Sequence, residues 1–590
     1  MMGSVAGTST AFDSDWLVIG SGFGGSTSAL RLAEKGYSVT VLECGRRFAD
    51  EDHASSTWQL RRYFWAPRLG LRGIFRLSLF RDIFIASGAG VGGGSLGYAN
   101  TLYVPTSSDF YEDPQWKDLG AWRTELATHY ETAKYMLGVE TYHPKGPADA
   151  LLERYATELG VGHTFTMTPV GVFLGEPGVE VDDPYFGGKG PRRAGCQRCG
   201  HCMIGCRYNA KNTLVKNYLY LAEAAGAQVH AEREVVDITP LNEAGVPDRA
   251  ASGAHGYLVR TEYPGAWLRR RPREYRARNV IVAAGALGST KLLHRCRLDG
   301  GLERLSDRVG ALVRTNSESI LAVTGPRDAD FSGSVAISSS IYPDEHTHIE
   351  PVTYGNGGGA LAMLSTLLTG NGTRVTRPLK FLGQVVRHPL RFVRMLWPAG
   401  WSRRTFLVLV MQSHPNAIEL AARKRWFRRG VKVRTRQDAE HPNPTYIPGA
   451  NDAAARIAQY IGGVAQSSVL EALFNIPTTA HLLGGATIGS DAAHGVIDLQ
   501  HRAFGYEGLL VIDGSSIPAN VGVNPSLTIT ALAERAMTFI PSVEPAVGAL
   551  SVNEDAVHGG ELSGQEGHDT GRPGQDSAPT AGSGATTTRD

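Results

Sequence analysis

The chain has 590 residues, a net charge of +2 and an apolar content of 42%, which is typical of a large globular protein with a sizeable core. A charge so close to zero gives no overall attraction to nucleic acid, and no nucleic-acid-binding motif is present. There is no apolar run of about 18 residues and no signal-peptide pattern, which favours a cytoplasmic protein. Six cysteines are too few for a disulfide framework, which also fits a reducing compartment.

The first folded unit is expected just after the N-terminus. The segment WLVIGSGFGGSTSALRLAEKGYSVTVLECG combines an apolar strand, the pattern Gly20-x-Gly22-x-x-Gly25, an amphipathic helix, a second strand and Glu43. In this order the first glycine permits a tight turn, the second lets the backbone approach a pyrophosphate, and the third lets helix and strand pack closely. Glu43 can accept a hydrogen bond from a ribose hydroxyl. The segment predicts a dinucleotide site without deciding between NAD and FAD.

A second glycine-rich segment, SGAGVGGGSLGYAN, covers residues 87–100 and has apolar flanks. So many glycines in an apolar setting indicate a backbone packed against a large flat ligand or its phosphates. We therefore expect cofactor contacts from Gly88, Gly92, Gly93 and Ser95. The alternative is a glycine-rich surface loop.

Further along the chain, NVIVAAGA and GLLVIDG predict buried strands, and PSLTITALAERAM predicts a helix. The alternation of such strands and helices indicates a doubly wound α/β domain. Residues 311–454 are more mixed and fit a second domain built around a sheet. Residues 1–12 and 546–590 are poor in large apolar side chains and are predicted to be disordered.

Near the C-terminus, GVNPSLTITALAERAM places Asn524 at the expected cap of a helix and Pro525 at its first helical position. The positive end of this helix would then face an anionic group, such as the pyrimidine side of a reduced flavin. Asp513 and Gly514 end the preceding strand and are expected to approach the cofactor from a turn. For Asn524 the alternative is a plain helix cap.

The motifs IGSGFGG, GVGGGSL, AAGALGSTKLL, HLLGG and VIDGSSIPANVGVNPSLTITALAER follow one another along the chain. In this order, over residues 13–540, the chain resembles the glucose–methanol–choline (GMC) oxidoreductases and is most similar to the actinobacterial cholesterol oxidases among them. The resemblance implies non-covalent FAD and the GMC oxidoreductase fold, in which a Rossmann-like FAD-binding domain is joined to a mixed-sheet substrate-binding domain. The C-terminal stretch would fold back to complete the flavin site.

Both domains are expected to be discontinuous in sequence. The predicted FAD-binding domain combines residues 13–107, 195–310 and 455–545. The predicted substrate-binding domain combines residues 108–194 and 311–454.

The resemblance also implies the catalytic residues. His481, before a glycine pair, occupies the place of the family's catalytic histidine, and would take or position the hydroxyl proton while a hydride passes from the carbinol carbon to flavin N5. Asn524 would polarise or orient the same hydroxyl. The implied reaction is oxidation of a sterol or 3β-hydroxysteroid to the 3-ketosteroid, with electrons passing to O2 or another acceptor.

In steroid oxidases a buried carboxylate also moves the double bond from the 5-position to the 4-position. Glu350 is a candidate by residue type and region only, because the usual surroundings of that glutamate are not reproduced here. A surface or structural glutamate is the favoured interpretation of this position.

Two segments are basic, rich in apolar residues and free of acids. Residues 374–404 carry eight Lys or Arg, and residues 61–81 carry six Arg. Such segments can lie in a membrane interface, which would suit a lipid substrate. The alternative is that the arginine stems cover an internal groove.

The segment GCQRCGHCMIGC holds Cys196, Cys199, Cys202 and Cys206 with the spacing of an iron–sulfur ligand run. Arg207 replaces the proline that follows the familiar run, and there is no second run, so a single cluster would need an unusual loop. Zinc bound by these cysteines, or by three of them and His201, is another option. Unmetallated thiols are the third and the favoured one.

Three functions are consistent with the sequence. The first is an FAD-dependent sterol oxidase, and the second is a GMC dehydrogenase that passes electrons to a protein or iron–sulfur acceptor, which the cysteines favour. The third is a flavin-binding protein without turnover, against which intact His481 and Asn524 argue.

Overall fold

The structure is a computed structural model that describes residues 11–266, 270–395, 397–426 and 430–543. Residues 1–10 and 546–590, for which disorder is predicted, lie outside these ranges. Among the described residues, no helix is both long enough and apolar enough to cross a membrane.

The described residues form twelve α-helices, which are α1 (Phe23–Glu34), α2 (Leu60–Tyr63), α3 (Ser108–Tyr111), α4 (Trp122–Met136), α5 (Pro147–Glu158), α6 (Tyr218–Ala224), α7 (Ala286–Asp299), α8 (Thr376–Arg387), α9 (Pro389–Met395), α10 (Pro448–Tyr460), α11 (Val469–Phe474) and α12 (Ser526–Thr538). The strands are β1 (Ser14–Ile19), β2 (Val39–Leu42), β3 (Trp65–Ala66), β4 (Leu71–Arg72), β5 (Phe75–Leu79), β6 (Phe84–Gly88), β7 (Glu140–Thr141), β8 (Thr166–Met167), β9 (Pro169–Val170), β10 (Glu180–Val181), β11 (Arg193–Ala194), β12 (Gln228–His230), β13 (Glu234–Pro240), β14 (Tyr257–Glu262), β15 (Arg273–Val282), β16 (Ser319–Thr324), β17 (Ser339–Ser340), β18 (Thr347–Val352), β19 (Ser365–Leu367), β20 (Thr405–Gln412), β21 (Ile418–Lys424), β22 (Val431–Gln437), β23 (Val464–Ser468), β24 (Thr478–Thr479) and β25 (Leu509–Val511).

A seven-stranded sheet carries the predicted nucleotide-binding unit. Its path is β12-β2-β1-β15-β14-β13, and β25 pairs with the C-terminal part of β15. The strands β12, β2, β1, β15 and β25 run parallel, so their carboxyl ends meet at one edge. Helix α1 packs on β1 and β2 of this sheet, and α12 packs against α1. In parallel sheets such an edge is where ligands bind, at the point where the strand order reverses.

A second sheet has the order β18-β20-β16-β23-β19 with every pairing antiparallel. Helix α10 packs on one of its faces, with Ile457 and Ala453 among the fully buried contacts. The mixed α/β class predicted from the sequence is confirmed. The proposed division into domains stays a prediction. Strand β23 belongs to residues 455–545, which are predicted for the FAD-binding domain, yet it pairs with β16 in this second sheet.

Candidate active site

The turn after β1 is shaped by its three glycines. Gly20 has φ +104°, and a Cβ on it would lie 2.2 Å from the Ala283 carbonyl oxygen. A Cβ on Gly25 would lie 2.1 Å from the Gly20 oxygen, so α1 can pack on β1 only with glycine there. Around Gly22, by contrast, a Cβ would meet no described atom within 4 Å. Gly22 therefore borders open space, as is expected of a residue whose backbone approaches a phosphate.

No side chain caps the N-terminus of α1, whose capping residue is Gly22. The first N–H groups of this twelve-residue helix have no intrahelical acceptor and are therefore available to a ligand in the space beside Gly22. Backbone donors and the positive end of the helix dipole together suit a pyrophosphate. The local structure fits a dinucleotide cofactor.

Glu43 follows β2 and is buried. Its Oε2 atom accepts hydrogen bonds from the Ser21 hydroxyl at 2.7 Å and the Ser21 amide at 3.1 Å, and Oε1 accepts from the Gly45 amide at 2.8 Å. These bonds fix the carboxylate at the carboxyl edge of the parallel strands, next to Gly20. Its contact with a ribose hydroxyl stays a prediction.

The second glycine-rich segment folds against the first. Gly92 and Gly93 have φ values of +103° and +54°, and a Cβ on Gly93 would lie 2.6 Å from the Gly22 Cα atom. Gly88 is equally confined, since its Cβ would lie 2.6 Å from the Gly93 oxygen. The segment is therefore buried beside the dinucleotide turn and is not a surface loop.

Ser95 holds this segment in place. Its hydroxyl donates to the Gly92 oxygen at 2.7 Å and accepts from the Leu214 amide at 3.0 Å. Both bonds are made within the protein, so the side chain supports the loop. Its contact with the cofactor stays a prediction.

Asp513 ties the end of β25 to α7. Its Oδ2 atom accepts from the Ser289 hydroxyl at 2.5 Å, and Oδ1 accepts from the Ser515 amide at 2.7 Å. Burial raises the pKa of Asp513. The adjoining Gly514 oxygen accepts from the Gly484 amide at 2.9 Å, which links this turn to the glycine pair that follows His481.

His481 is paired with a carboxylate that the sequence did not point to. Its Nδ1 atom lies at ion-pair distance from Oε1 of Glu318, whose side chain is 0% exposed, while the histidine side chain is 16% exposed. The other oxygen of Glu318 accepts from the Ala480 amide at 2.9 Å. The carboxylate thus fixes both the backbone before His481 and the orientation of its ring, which leaves Nε2 as the available ring nitrogen.

Asn524 does not occupy the helix-capping position predicted for it. Helix α12 begins at Ser526 with Pro525 as its capping residue, so the prediction of Asn524 as the cap and Pro525 as the first helical residue is wrong by one position. The side chain of Asn524 instead donates from Nδ2 to Oε2 of Glu350 at 3.3 Å. Its Oδ1 atom is buried without a hydrogen-bond partner in the described structure.

Glu350, for which a surface or structural position was favoured, is 0% exposed and lies in the same site as Asn524. Burial raises the pKa of Glu350 to about 8, and the nearby charge of Glu318 also raises it. The hydrogen bond from Asn524 lowers this pKa but does not cancel the effect of burial. Its Oε1 atom has no hydrogen-bond partner among the described residues. A buried carboxyl with a free oxygen and a raised pKa is suited to accepting and returning a proton.

The second sheet brings the two glutamates together. Glu350 in β18 pairs with Leu409 in β20, which pairs with Ile320 in β16, and Glu318 immediately precedes β16. Side chains two residues apart on a strand share a face, so Glu318 and Ile320 both lie on the face of Glu350. Leu409, Met411 and Val352 on this face are buried in one cluster, and His348, also buried there, has its Nδ1 atom 3.9 Å from Oε1 of Glu350. A nonpolar substrate with one hydroxyl matches such a surface.

Matches to known proteins agree with this geometry. The family model described as FAD dependent oxidoreductase matches residues 15–136, and two models described as GMC oxidoreductase match residues 191–303 and 410–533. A cholesterol oxidase of Mycobacterium tuberculosis (strain ATCC 25618 / H37Rv) is 49% identical over 90% of this chain and 91% of its own length. A cholesterol oxidase of Acinetobacter baumannii is 45% identical over 90% of this chain and 95% of its own length.

Among solved structures, a pyridoxine 4-oxidase from Mesorbium loti shares the fold with a TM-score of 0.54 at 14% identity, covering 89% of this chain and 98% of that one. The predicted family and the FAD cofactor are thus confirmed. The chain belongs to the GMC oxidoreductase family and is an FAD-dependent alcohol oxidoreductase.

Proposed function

We propose that the chain oxidises the 3β-hydroxyl of a sterol to the ketone. The observation that carries this proposal is a pair of contacts, His481 with Glu318 and Asn524 with Glu350, whose two glutamates lie on one largely apolar face of the second sheet. The relatives that are 45–49% identical are named cholesterol oxidases, which supports a sterol as the substrate. When bound, FAD supplies the acceptor for the carbinol hydride.

His481 would accept the substrate's hydroxyl proton at Nε2 as the C–O bond becomes a carbonyl. Glu318 at Nδ1 orients the ring and stabilises the imidazolium that results, which makes it a positioning residue. Asn524 would orient the hydroxyl, because its buried Oδ1 is free to accept a hydrogen bond. The residues together hold the hydroxyl in one orientation and take up its proton.

Glu350 would carry the isomerisation. Once the ketone has formed, a carboxylate at this position can remove a proton from the carbon between the ketone and the double bond, and return it at the far end of the double bond. No net proton is gained or lost in this step. The support is the fully buried carboxyl with a free Oε1 beside Asn524.

The test of the oxidation combines two variants and a control. Purified His481→Ala and Asn524→Ala proteins should keep bound flavin and lose most turnover, roughly 10²–10⁴-fold. His494→Ala removes a histidine that is 69% exposed and pairs with Asp491, and should leave turnover unchanged. Flavin reduction by a 3β-hydroxysteroid at the unaltered rate in both site variants would overturn the assignment.

The electron acceptor is identified with the same purified protein. Oxygen consumption that keeps pace with steroid oxidation supports an oxidase. Turnover with an artificial acceptor but little with O2 would favour the second candidate, a dehydrogenase, to which the cysteine run in GCQRCGHCMIGC points.

A membrane-facing surface would suit a sterol substrate. Helices α8 and α9 expose apolar side chains to solvent, with Leu379, Leu382, Val386, Leu390 and Val393 each at least 57% exposed. Side chains this exposed do not line an internal groove, which was the alternative to a membrane-facing surface. The second basic segment adjoins the first, since Arg374 donates to Asp82 Oδ1 at 2.8 Å and to the Arg81 oxygen. We infer contact with the surface of an anionic bilayer.

Flotation with anionic vesicles at low salt tests this contact. A Leu382→Asp and Leu390→Asp double variant should lose binding, whereas Val246→Asp, at a residue that is 54% exposed in another part of the chain, should keep it. Absence of the unaltered protein from the vesicle fraction would rule the contact out.

A further inference from the structure

The four cysteines of GCQRCGHCMIGC surround one cavity. Cys196, Cys199, Cys202 and Cys206 all line it, together with His201 and Lys211. None of these cysteines forms a disulfide. Four cysteines are also the number that binds a [4Fe–4S] cluster, whereas cysteines that only pack in a core need not line one common space.

The loop that carries the cysteines turns at residues with a left-handed backbone conformation. Arg198, Gly200 and Gly205 have φ values of +54°, +72° and +107°, and each lies between two successive cysteines of the run. A Cβ on Gly205 would lie 2.3 Å from Nδ1 of His53, so a side chain is excluded there. These turns accompany the return of the chain by which all four cysteines line the same cavity.

Two basic side chains, Lys211 and Arg193, are buried beside the thiols. Lys211 lines the cavity at 2% exposure, and its Nζ atom donates to the carbonyl oxygens of Cys202 at 2.8 Å and Leu96 at 3.1 Å. In the described structure no carboxylate forms an ion pair with it. Arg193, 1% exposed, also has an unpartnered Nη2 atom and is attracted electrostatically to Cys206. These two side chains place buried hydrogen-bond donors beside the thiols, which suits the sulfur atoms of a thiolate-bound cluster.

The spacing of the thiols distinguishes a cluster from a single ion. Tetrahedral zinc with bonds of about 2.3 Å brings its sulfur ligands within about 4 Å of one another. Within the described residues, no three of the four thiols have their sulfur atoms all within 4.8 Å of one another, because the single group that meets this limit is Asp109, His346 and His414. This wider spacing does not match a single tetrahedral zinc ion.

We propose that this cavity binds a [4Fe–4S] cluster through Cys196, Cys199, Cys202 and Cys206. The site adjoins the flavin region, because Lys211 bridges Cys202 to Leu96, and Leu96 ends the short helix that begins at Gly93, which packs against Gly22. Cluster binding does not depend on which alcohol is oxidised.

The test is iron and acid-labile sulfide analysis of the full-length holoenzyme, purified without oxygen and then reconstituted with ferrous iron and sulfide. We expect about four irons and four sulfides per chain, and a paramagnetic cluster signal after reduction with dithionite. Cys202→Ala and Cys199→Ala should each lower the iron content while bound flavin is retained. Cys296→Ala, which removes a buried cysteine of α7 outside the run, should leave the iron content unchanged.

Two results would overturn the proposal. One is fewer than about one iron per chain after reconstitution in a protein with a full complement of flavin. The other is a stoichiometric zinc that reconstitution does not replace. Since flavin content and steroid oxidation are measured on the same samples, failure of the cluster and failure of the sterol oxidation are told apart.

Discussion

Glu318 contacts His481 through Nδ1 of the imidazole, and its own side chain is fully buried. The same carboxylate accepts from the Ala480 amide, so one residue fixes both the backbone and the ring of the proposed catalytic histidine. A carboxylate in this position selects the ring tautomer and stabilises the protonated ring. Glu318 is therefore expected to affect the rate without touching the substrate.

The first prediction concerns this pair. Glu318→Gln should lower kcat by roughly 10²–10⁴-fold with little change in KM or in flavin content, because the histidine loses its orientation and its counter-charge. Steady-state kinetics checks it as a loss in kcat at nearly constant KM, measured together with flavin content and the melting temperature. A purely structural role would lower the melting temperature and the flavin content together with the activity.

A double variant provides the control. His481→Ala removes the group through which Glu318 acts, so adding Glu318→Gln to it should cost little further activity. Multiplicative losses in the double variant would show that the two residues act separately.

The second prediction separates the two reactions. Glu350→Gln keeps an oxygen that can accept from Asn524 but cannot act as a base. Isomerisation of a 5-ene-3-ketosteroid should fall at least roughly 10²-fold, and oxidation of a saturated 3β-hydroxysteroid should fall less than about tenfold. Chromatography of the two products checks both. An equal loss of the two activities would mean that Glu350 acts on oxidation and not on the double bond.

The third prediction is the pH dependence of isomerisation. The pKa of Glu350 is raised to about 8, so its carboxyl is mostly protonated at neutral pH and gains the charge needed to act as a base as pH rises. Between pH 7 and pH 9 the carboxylate fraction, and hence the isomerisation rate, should rise about tenfold. The rate is measured after subtraction of the uncatalysed reaction. A flat or falling profile would exclude Glu350 as the base.

The sequence predicts the cofactor region better than the catalytic residues. Gly20, Gly22 and Gly25 form a local motif whose spacing within one strand–turn–helix unit determines their positions. Glu318, however, lies in TNSESI, which has no motif, and it reaches His481 only because the second sheet packs against the segment around residue 480. Long-range contacts of this kind leave no periodicity in the chain.

Asn524 shows a related difficulty. A polar residue before a proline and a helix predicts a cap, yet its side chain is drawn away to Glu350, 174 positions earlier in the chain. The preference for a local cap is worth only about 1 kcal/mol, so a tertiary partner can override it. The local pattern did not identify this partner, and the catalytic role that the resemblance implies for Asn524 stays a prediction.

The last prediction compares two glycines of one motif. Gly22 has φ −75° and space for a Cβ, so Gly22→Ala should fold normally and weaken FAD binding about tenfold or more, because the methyl group occupies the approach to the phosphate. Gly25→Ala places a methyl group 2.1 Å from the Gly20 oxygen and forces α1 away from β1, which should destabilise the apoprotein by about 1–3 kcal/mol or more.

Melting temperatures of the two apoproteins, measured together with FAD titrations, check the comparison. Only the Gly25 variant should melt at a lower temperature without cofactor, and the Gly22 variant should show its defect only as a smaller rise in melting temperature when FAD is added. Equal destabilisation of both apoproteins would show that Gly22 is constrained by packing, in which case the space beside it is not the phosphate site.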